Sequence, residues 1–279
     1  MRLLTLRSPN GPIAAVERDG SRLIVNDAQG RAISDVGNLL RHSDWRNLAT
    51  RASVAAAPEW RVLRPILEPG ATVCVGLNYK RHVLEMGRQL PTVPTLFSKL
   101  PRALTDPDTS IPLPADSNMM DYEGELTIVI GQGGRNIPHA RAWDAVAGFT
   151  LLNDVTARDF QKRSLQWFAG KSWERATPVG PVFVTADEFP DFPDREIVTR
   201  VNGEERQRSP MSDLIFDVPT LVSDLSRIIT LEPGDMIATG TPGGVGDAMK
   251  PPSYLKPGDV VEISFDGIGL LRNTFVRAS

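Results

Sequence analysis

Cysteine, histidine and long apolar runs are all scarce in this chain, with one Cys and three His among 279 residues. A lone cysteine excludes an internal disulfide framework, and Cys74, in the apolar run ATVCVG with no basic residue adjoining it, reads as a small core hydrophobe rather than a nucleophile. No apolar run approaches the roughly 20 residues that span a bilayer. The N-terminal stretch MRLLTLRSPNGP is broken by Arg7 and Pro9 before a signal-like apolar core can form, so a soluble cytoplasmic protein is expected. Charge of one sign is not in excess either: a net charge of -3 with scattered arginines gives no reason to expect nucleic acid or a membrane as partner. Internal repeats, low-complexity tracts and βαβ units are also missing.

What is present is an ordinary globular composition, 41% hydrophobic and 23% charged, in a chain long enough for one large domain with a small appendage. Glycine and proline number 23 each and punctuate short strand-like runs. Residues 1–57 alternate as LLTLR, IAAVE and RLIVN between turn signals at Asp19-Gly20 and Gln29-Gly30, which predicts a small antiparallel β-rich domain followed by a helix over 39–57. Residues 58–70, rich in proline and closed by Pro69-Gly70, read as a linker, and 71–279 as the catalytic domain. Within it, helices are predicted over 79–86 (ended by Gly87), 157–167 and 219–228, with a hairpin at Asn202-Gly203. The fold class is therefore α+β and rich in strands.

The densest chemistry lies in DYEGELTIVIG. Glu123 and Glu125 are two positions apart in a segment that otherwise reads as buried strand, which puts both on one face about 7 Å apart. Such a pair is either the solvated face of an amphipathic strand or two ligands of a cation. Asp154, ending the strand-like run AVAGFTLLND, adds a third carboxylate where open sites are usually built. Carboxylates without a Cys/His cluster point to a hard cation such as Mg²⁺ or Mn²⁺ rather than Zn²⁺.

Four further segments carry candidate residues. His82 and Glu85 stand at i and i+3 in NYKRHVLEMG, as an acid-base pair or as a surface ion pair. Arg158 and Gln161 follow Asp154 in NDVTARDFQ, so that a helix begun there would set all three on one side. Lys171 occupies a Gly- and Pro-bounded loop, GKSWERATPVGP. The stretch TGTPGGVG, with Thr239 and Thr241, is an anion cradle or merely a tight turn, since it lacks the lysine and spacing of a nucleotide-binding loop.

Taken in order, VGLNYKRHVLEMG, DYEGELTIVIG, NDVTARDFQ, GKSWERATPVGP, VNGEERQ, TLEPGDMIATGTPGGVG and YLKPGDVVE closely resemble the fumarylacetoacetate hydrolase family, in its branch of acylpyruvate hydrolases, 2-hydroxyhepta-2,4-diene-1,7-dioate isomerases and oxaloacetate decarboxylases. The resemblance spans about Cys74 to Asn273, roughly seven tenths of the chain. It implies a mixed β-roll for the larger domain and a homodimer. It implies metal ligation by Glu123, Glu125 and Asp154, Mg²⁺ being the expected ion with Mn²⁺ or Ca²⁺ as alternatives. Arg158, Gln161 and Thr241 are implied as substrate-binding residues and Lys171 as the active-site lysine. His82 and Glu85 are implied as a water-activating dyad on a helix that closes as a lid.

The implied substrate is a small 2-oxo acid, and the expected reaction is metal-dependent cleavage of an acylpyruvate such as fumarylpyruvate, maleylpyruvate or acetylpyruvate. Decarboxylation or isomerisation by the same enolate chemistry is the alternative, and an inactive metal-binding scaffold a minor one. One departure stands out: Trp173, Glu174 and Arg175 replace the Asp-Thr that commonly follows the lysine motif, which leaves the distal pocket undefined. Trp167, Phe168, Trp173 and Arg175 are candidates for lining that pocket, the three aromatics equally for the core.

Overall fold

The protein is described by a computed structural model covering residues 1–85, 87 and 89–278, the side chain of residue 85 excepted. Its frame is a large mixed sheet in which strands run in the order Val54–Ala55, Ser21–Ile24, Gly11–Arg18, Arg2–Ser8, Thr177–Thr185, Val146–Asn153, Gly124–Ile130, Met236–Ala238, Thr72–Gly76, Thr95–Ser98. The first strand pairs antiparallel with Thr177–Thr185, with Arg2 opposite Val184 and Leu3 opposite Phe183, so the N-terminal meander continues the central sheet. A second sheet orders Glu204–Pro210, Glu196–Val201, Val260–Phe265, Gly269–Arg277 and Ser110–Leu113.

Alternation along one strand explains the layering. In Gly124–Ile130 every residue is buried. Leu126, Ile128 and Ile130 point into the core shared with Ile197, Ile263 and Phe275 of the second sheet, whereas Val129 packs with Leu39, Leu48 and Val16 from the N-terminal region. A strand with both faces covered must be apolar on both, and this one is, apart from Glu125 and Thr127. Glu125 is 1% exposed and Glu123 7%, which overturns the solvated-face reading of the pair.

Local structure departs from the sequence expectation at three places. The helix expected over 39–57 is two short ones, Val36–Leu40 and Trp45–Arg51, followed by the strand Val54–Ala55. Ser43 and Asp44 lie at the break, and such side chains compete with helical backbone bonding. Residues 58–70 are not free chain, since Arg61–Leu63 forms a strand antiparallel to the first. The helix expected over 157–167 ends at Gln161, and a second short helix, Phe168–Lys171, follows a turn. In that turn Ser164 Oγ accepts from Gln166 N and donates to Gln166 O, which diverts the backbone from helix.

Other local expectations hold at the following places. Val218–Ile228 is a helix capped by Asp217, whose carboxylate accepts from Thr220 N. Asn202 and Gly203 both take positive φ at the tip of the Glu196–Val201/Glu204–Pro210 hairpin. The helix Lys80–Glu85 forms, while Met86, its expected end, lies outside the described residues. Among the described residues no helix is long and apolar enough to cross a membrane.

Candidate active site

Two neighbouring strands deliver the three acids. Glu123 immediately precedes the strand Gly124–Ile130, Glu125 lies within it, and Asp154 follows the adjacent strand Val146–Asn153, whose register sets Gly124 opposite Asn153. Asn153 Oδ1 accepts from Glu123 N at 3.0 Å and Asp154 N donates to Glu123 O at 2.8 Å, which ties the two strand ends together. One carboxylate oxygen from each acid lies within 4.8 Å of those of the other two. The acids therefore converge through strand pairing, not through a common helix face: Asp154 lies outside the helix Arg158–Gln161.

Cations pack against this cluster. Lys171 Nζ donates to Glu123 Oε2 at 2.7 Å and to Asp154 Oδ2 at 2.8 Å. Arg158 Nη2 lies 2.7 Å from Glu123 Oε1, its Nε donates to Asp121 Oδ2 at 2.8 Å, and its Nη1 donates to Gln161 Oε1 at 3.0 Å. Lys99, which the sequence reading missed, is also buried, with Nζ 2.6 Å from Asp154 Oδ1 and a hydrogen bond to Lys171 O. Its only sequence signal was a lysine directly after the short strand Thr95–Ser98.

These neighbours set the ionisation. Burial pushes the Asp154 carboxyl up, but Lys171 and Lys99 outweigh it and hold it below the usual carboxylate range. Burial works against the Lys171 ammonium, yet Asp154 and Glu123 raise its pKa, so it stays protonated at neutral pH. Glu125 differs. Burial, then the charges of Asp154 and Glu123, push its carboxyl well up. Its oxygen Oε2 accepts from Gly240 N at 3.0 Å, a contact that Gly240 permits by taking φ +96 where a Cβ would press on Val75 O. Among the described residues Glu125 makes no salt bridge.

The acids suit a hard divalent cation. Among the described residues Glu125 is a buried carboxylate without a cationic partner, and Asp154 Oδ1, apart from its ion pair with Lys99, accepts no hydrogen bond. Three carboxylates at this spacing could hold such an ion, and bringing positive charge to Glu125 would relieve its burial.

A cavity of about 350 Å³ opens beside the cluster, lined among others by Glu123, Arg158, Gln161, Lys171 and Thr241, with His82 on its wall. Glu85, the expected partner of His82, has its side chain outside the described residues. Thr241 Oγ donates to Gly124 O and accepts from Gln207 Nε2 at 2.7 Å. Gln207, also missed from sequence, further accepts from Gly124 N, so one hairpin side chain joins the carboxylate strand to the glycine-rich loop.

That loop is not an open anion cradle. Gly246 N and Asp247 N donate to Asp121, a buried carboxylate adjoining the Glu pair, and the Thr239 hydroxyl donates to Leu126 O within the sheet. Burial pushes the Asp121 carboxyl up, against the pull of Arg158. Of the aromatic candidates, Trp167 lines the cavity, Trp173 packs edge-on to Phe160 with ring centroids 4.9 Å apart, and Phe168 is 52% exposed.

Comparison with known proteins agrees with this architecture. Residues 71–276 match the fumarylacetoacetate (FAA) hydrolase C-terminal family. Over 219 residues the chain is 43% identical to the oxaloacetate tautomerase YisK of Bacillus subtilis, covering 77% of this chain and 73% of that protein. Its fold superposes with a TM-score of 0.87 on a fumarylacetoacetate hydrolase from Exiguobacterium antarcticum, 38% identical, with both chains covered in full. It superposes at 0.77 on a 2-hydroxyhepta-2,4-diene-1,7-dioate isomerase from Mycobacterium marinum, 33% identical, covering 100% of this chain and 99% of that one. The matched segment is most of the chain and contains all the acids described above, and so this protein belongs to the fumarylacetoacetate hydrolase family.

Proposed function

We propose that this chain interconverts the enol and keto forms of a small 2-oxo acid, in the manner of an oxaloacetate tautomerase. Its relative YisK carries that name, and a solved neighbour is named as an isomerase of a hydroxy-diene-dioate. The tautomerase reading therefore stands ahead of the acylpyruvate hydrolysis expected from the motifs. The observation that carries it is Lys171 Nζ, bonded to both Glu123 and Asp154 at a cavity wall shared with His82.

A divalent cation held by Glu123, Glu125 and Asp154 would supply electrophilic polarisation of the acid's oxygens. Mg²⁺ is the proposed ion, with Mn²⁺ or Ca²⁺ as alternatives. The protein's own groups do the rest. Arg158, Gln161 and Thr241 orient the substrate carboxylate. The Lys171 ammonium stabilises negative charge as it develops on the 2-oxygen. His82 takes the proton from the enol hydroxyl and returns one to carbon 3, so the imidazole ends as it began and no other atom is exchanged. A homodimer in the cytoplasm is proposed on family grounds.

Hydrolysis remains the second reading because His82 lines the cavity, where a base that activates water would have to stand. One assay separates the two. Enol absorbance should fall at least about 100-fold faster with enzyme and Mg²⁺ than without, the scale of general acid-base catalysis, and without matching pyruvate release. Pyruvate released in step with enol loss from an acylpyruvate would favour hydrolysis. No acceleration by a protein that binds Mg²⁺ would leave only an inactive scaffold.

A further inference from the structure

One wall of the cavity is aromatic and held from two sides. The Trp167 ring meets Phe97 edge-on, with centroids 5.5 Å apart at 69°. Its other constraint is Gly76, the last residue of the strand Thr72–Gly76, where an added Cβ would come within 2.3 Å of Trp167 Cζ3. Every other position of that strand carries a side chain, so the indole occupies space that only a glycine there leaves free. Lys171 Nζ lies 5.2 Å over the Phe97 ring, which makes the aromatic wall continuous with the lysine of the acid cluster. The cavity volume of about 350 Å³ is at the small end of the about 300–1,000 Å³ usual for ligand sites.

We infer that Trp167, seated by Gly76 and Phe97, limits the size of the group that a 2-oxo acid can carry beyond its reacting carbons, and so selects short diacids over acids with bulky distal substituents. The inference rests on the proposed 2-oxo acid site. It assigns to Trp167 the specificity that the departure at Trp173, Glu174 and Arg175 left undefined. Trp173 is committed to Phe160 instead.

The test compares the parent with Trp167→Ala and Trp167→Phe, each first shown to be folded by circular dichroism. Enol decay is followed for oxaloacetate and for benzoylpyruvate. Calorimetry then measures binding of oxalate and phenylpyruvate in the presence of Mg²⁺. In Trp167→Ala the kcat/KM ratio of benzoylpyruvate to oxaloacetate should rise at least about 10-fold, the discrimination a filled apolar subsite gives. The phenylpyruvate-to-oxalate affinity ratio should rise with it, and Trp167→Phe should fall between. If neither enol is turned over by any variant, the proposed reaction fails, but the affinity ratio still decides the size limit. An unchanged affinity ratio in Trp167→Ala overturns the inference.

Discussion

Glu125 is the residue at which the balance of charge is least settled. Lys171 and Lys99 hold Asp154 from two sides, Lys171 and Arg158 hold Glu123, and among the described residues Glu125 has a backbone N–H alone, for its Oε2. Burial and two neighbouring carboxylates oppose its ionisation. Glu125→Gln keeps the side chain's shape, and its amide oxygen can still accept from Gly240 N. This variant should unfold at a higher temperature than the parent when divalent cations are chelated, and should lose measurable Mg²⁺ binding by calorimetry. A variant that binds Mg²⁺ as the parent does would remove Glu125 from the ligand set. Lys99 makes the converse case. Lys99→Ala leaves a buried carboxylate one cation short, and the expected loss is on the order of 3–5 kcal/mol in urea denaturation. A loss below about 1 kcal/mol, the scale of surface pairs, would show that Asp154 does not depend on Lys99.

At the scale of elements, Asp121 fastens three pieces of the site. It accepts from Arg158 Nε on one helix and from Gly246 N and Asp247 N of the glycine-rich loop, directly beside the carboxylate strand. Asp121→Asn exchanges an acceptor oxygen for an amide that cannot serve all of these donors. Faster amide exchange at Gly246 and Asp247 is expected, together with a fall in kcat/KM of about 100-fold as Arg158 loses its orientation. Unchanged exchange at the loop would contradict the role.

The same residues show what could be read from sequence. The three acids were legible as a cluster, because strand periodicity and an apolar flank expose a Glu-x-Glu pair, but the choice of a metal site over a solvated face came from the family resemblance. Lys99, Asp121 and Gln207 were not, because each acts through partners at least 34 positions away in the chain, the span from Gln207 to Thr241. The helix expected over 157–167 overran its end at Gln161, and Lys171, expected in a loop, closes the short helix Phe168–Lys171, because Ser164's bonding to Gln166 is a local competition that apolar spacing does not record.

For the whole molecule, the sheet binds the N-terminal region to the acid cluster. The strand Arg2–Ser8 is hydrogen-bonded to Thr177–Thr185, which pairs in turn with Val146–Asn153, the strand ending beside Asp154. The 1–57 meander and the 71–279 region thus share a sheet, and Leu3, Val16 and Leu39 share one apolar cluster with Val129 and Met236. A chain lacking residues 1–57 would expose that cluster and an unpaired strand edge. It should aggregate rather than fold cooperatively, as checked by size-exclusion chromatography and thermal unfolding.

Cation binding should also register on the molecule as a whole. At a hundredfold excess of Mg²⁺ over its Kd the folded state gains about 2.7 kcal/mol. The melting temperature should therefore rise with Mg²⁺ in the parent and stay constant in Glu125→Gln.

The most direct test of enolate chemistry at this carboxylate and lysine cluster is the rate of enol-to-keto conversion of oxaloacetate, followed by ultraviolet absorbance with and without Mg²⁺ in the parent, Glu125→Gln and Lys171→Ala. Acceleration by the parent with Mg²⁺, lost in both variants while circular dichroism shows them folded, is the predicted result. Equal rates in parent and variants, or in parent and buffer, would contradict it.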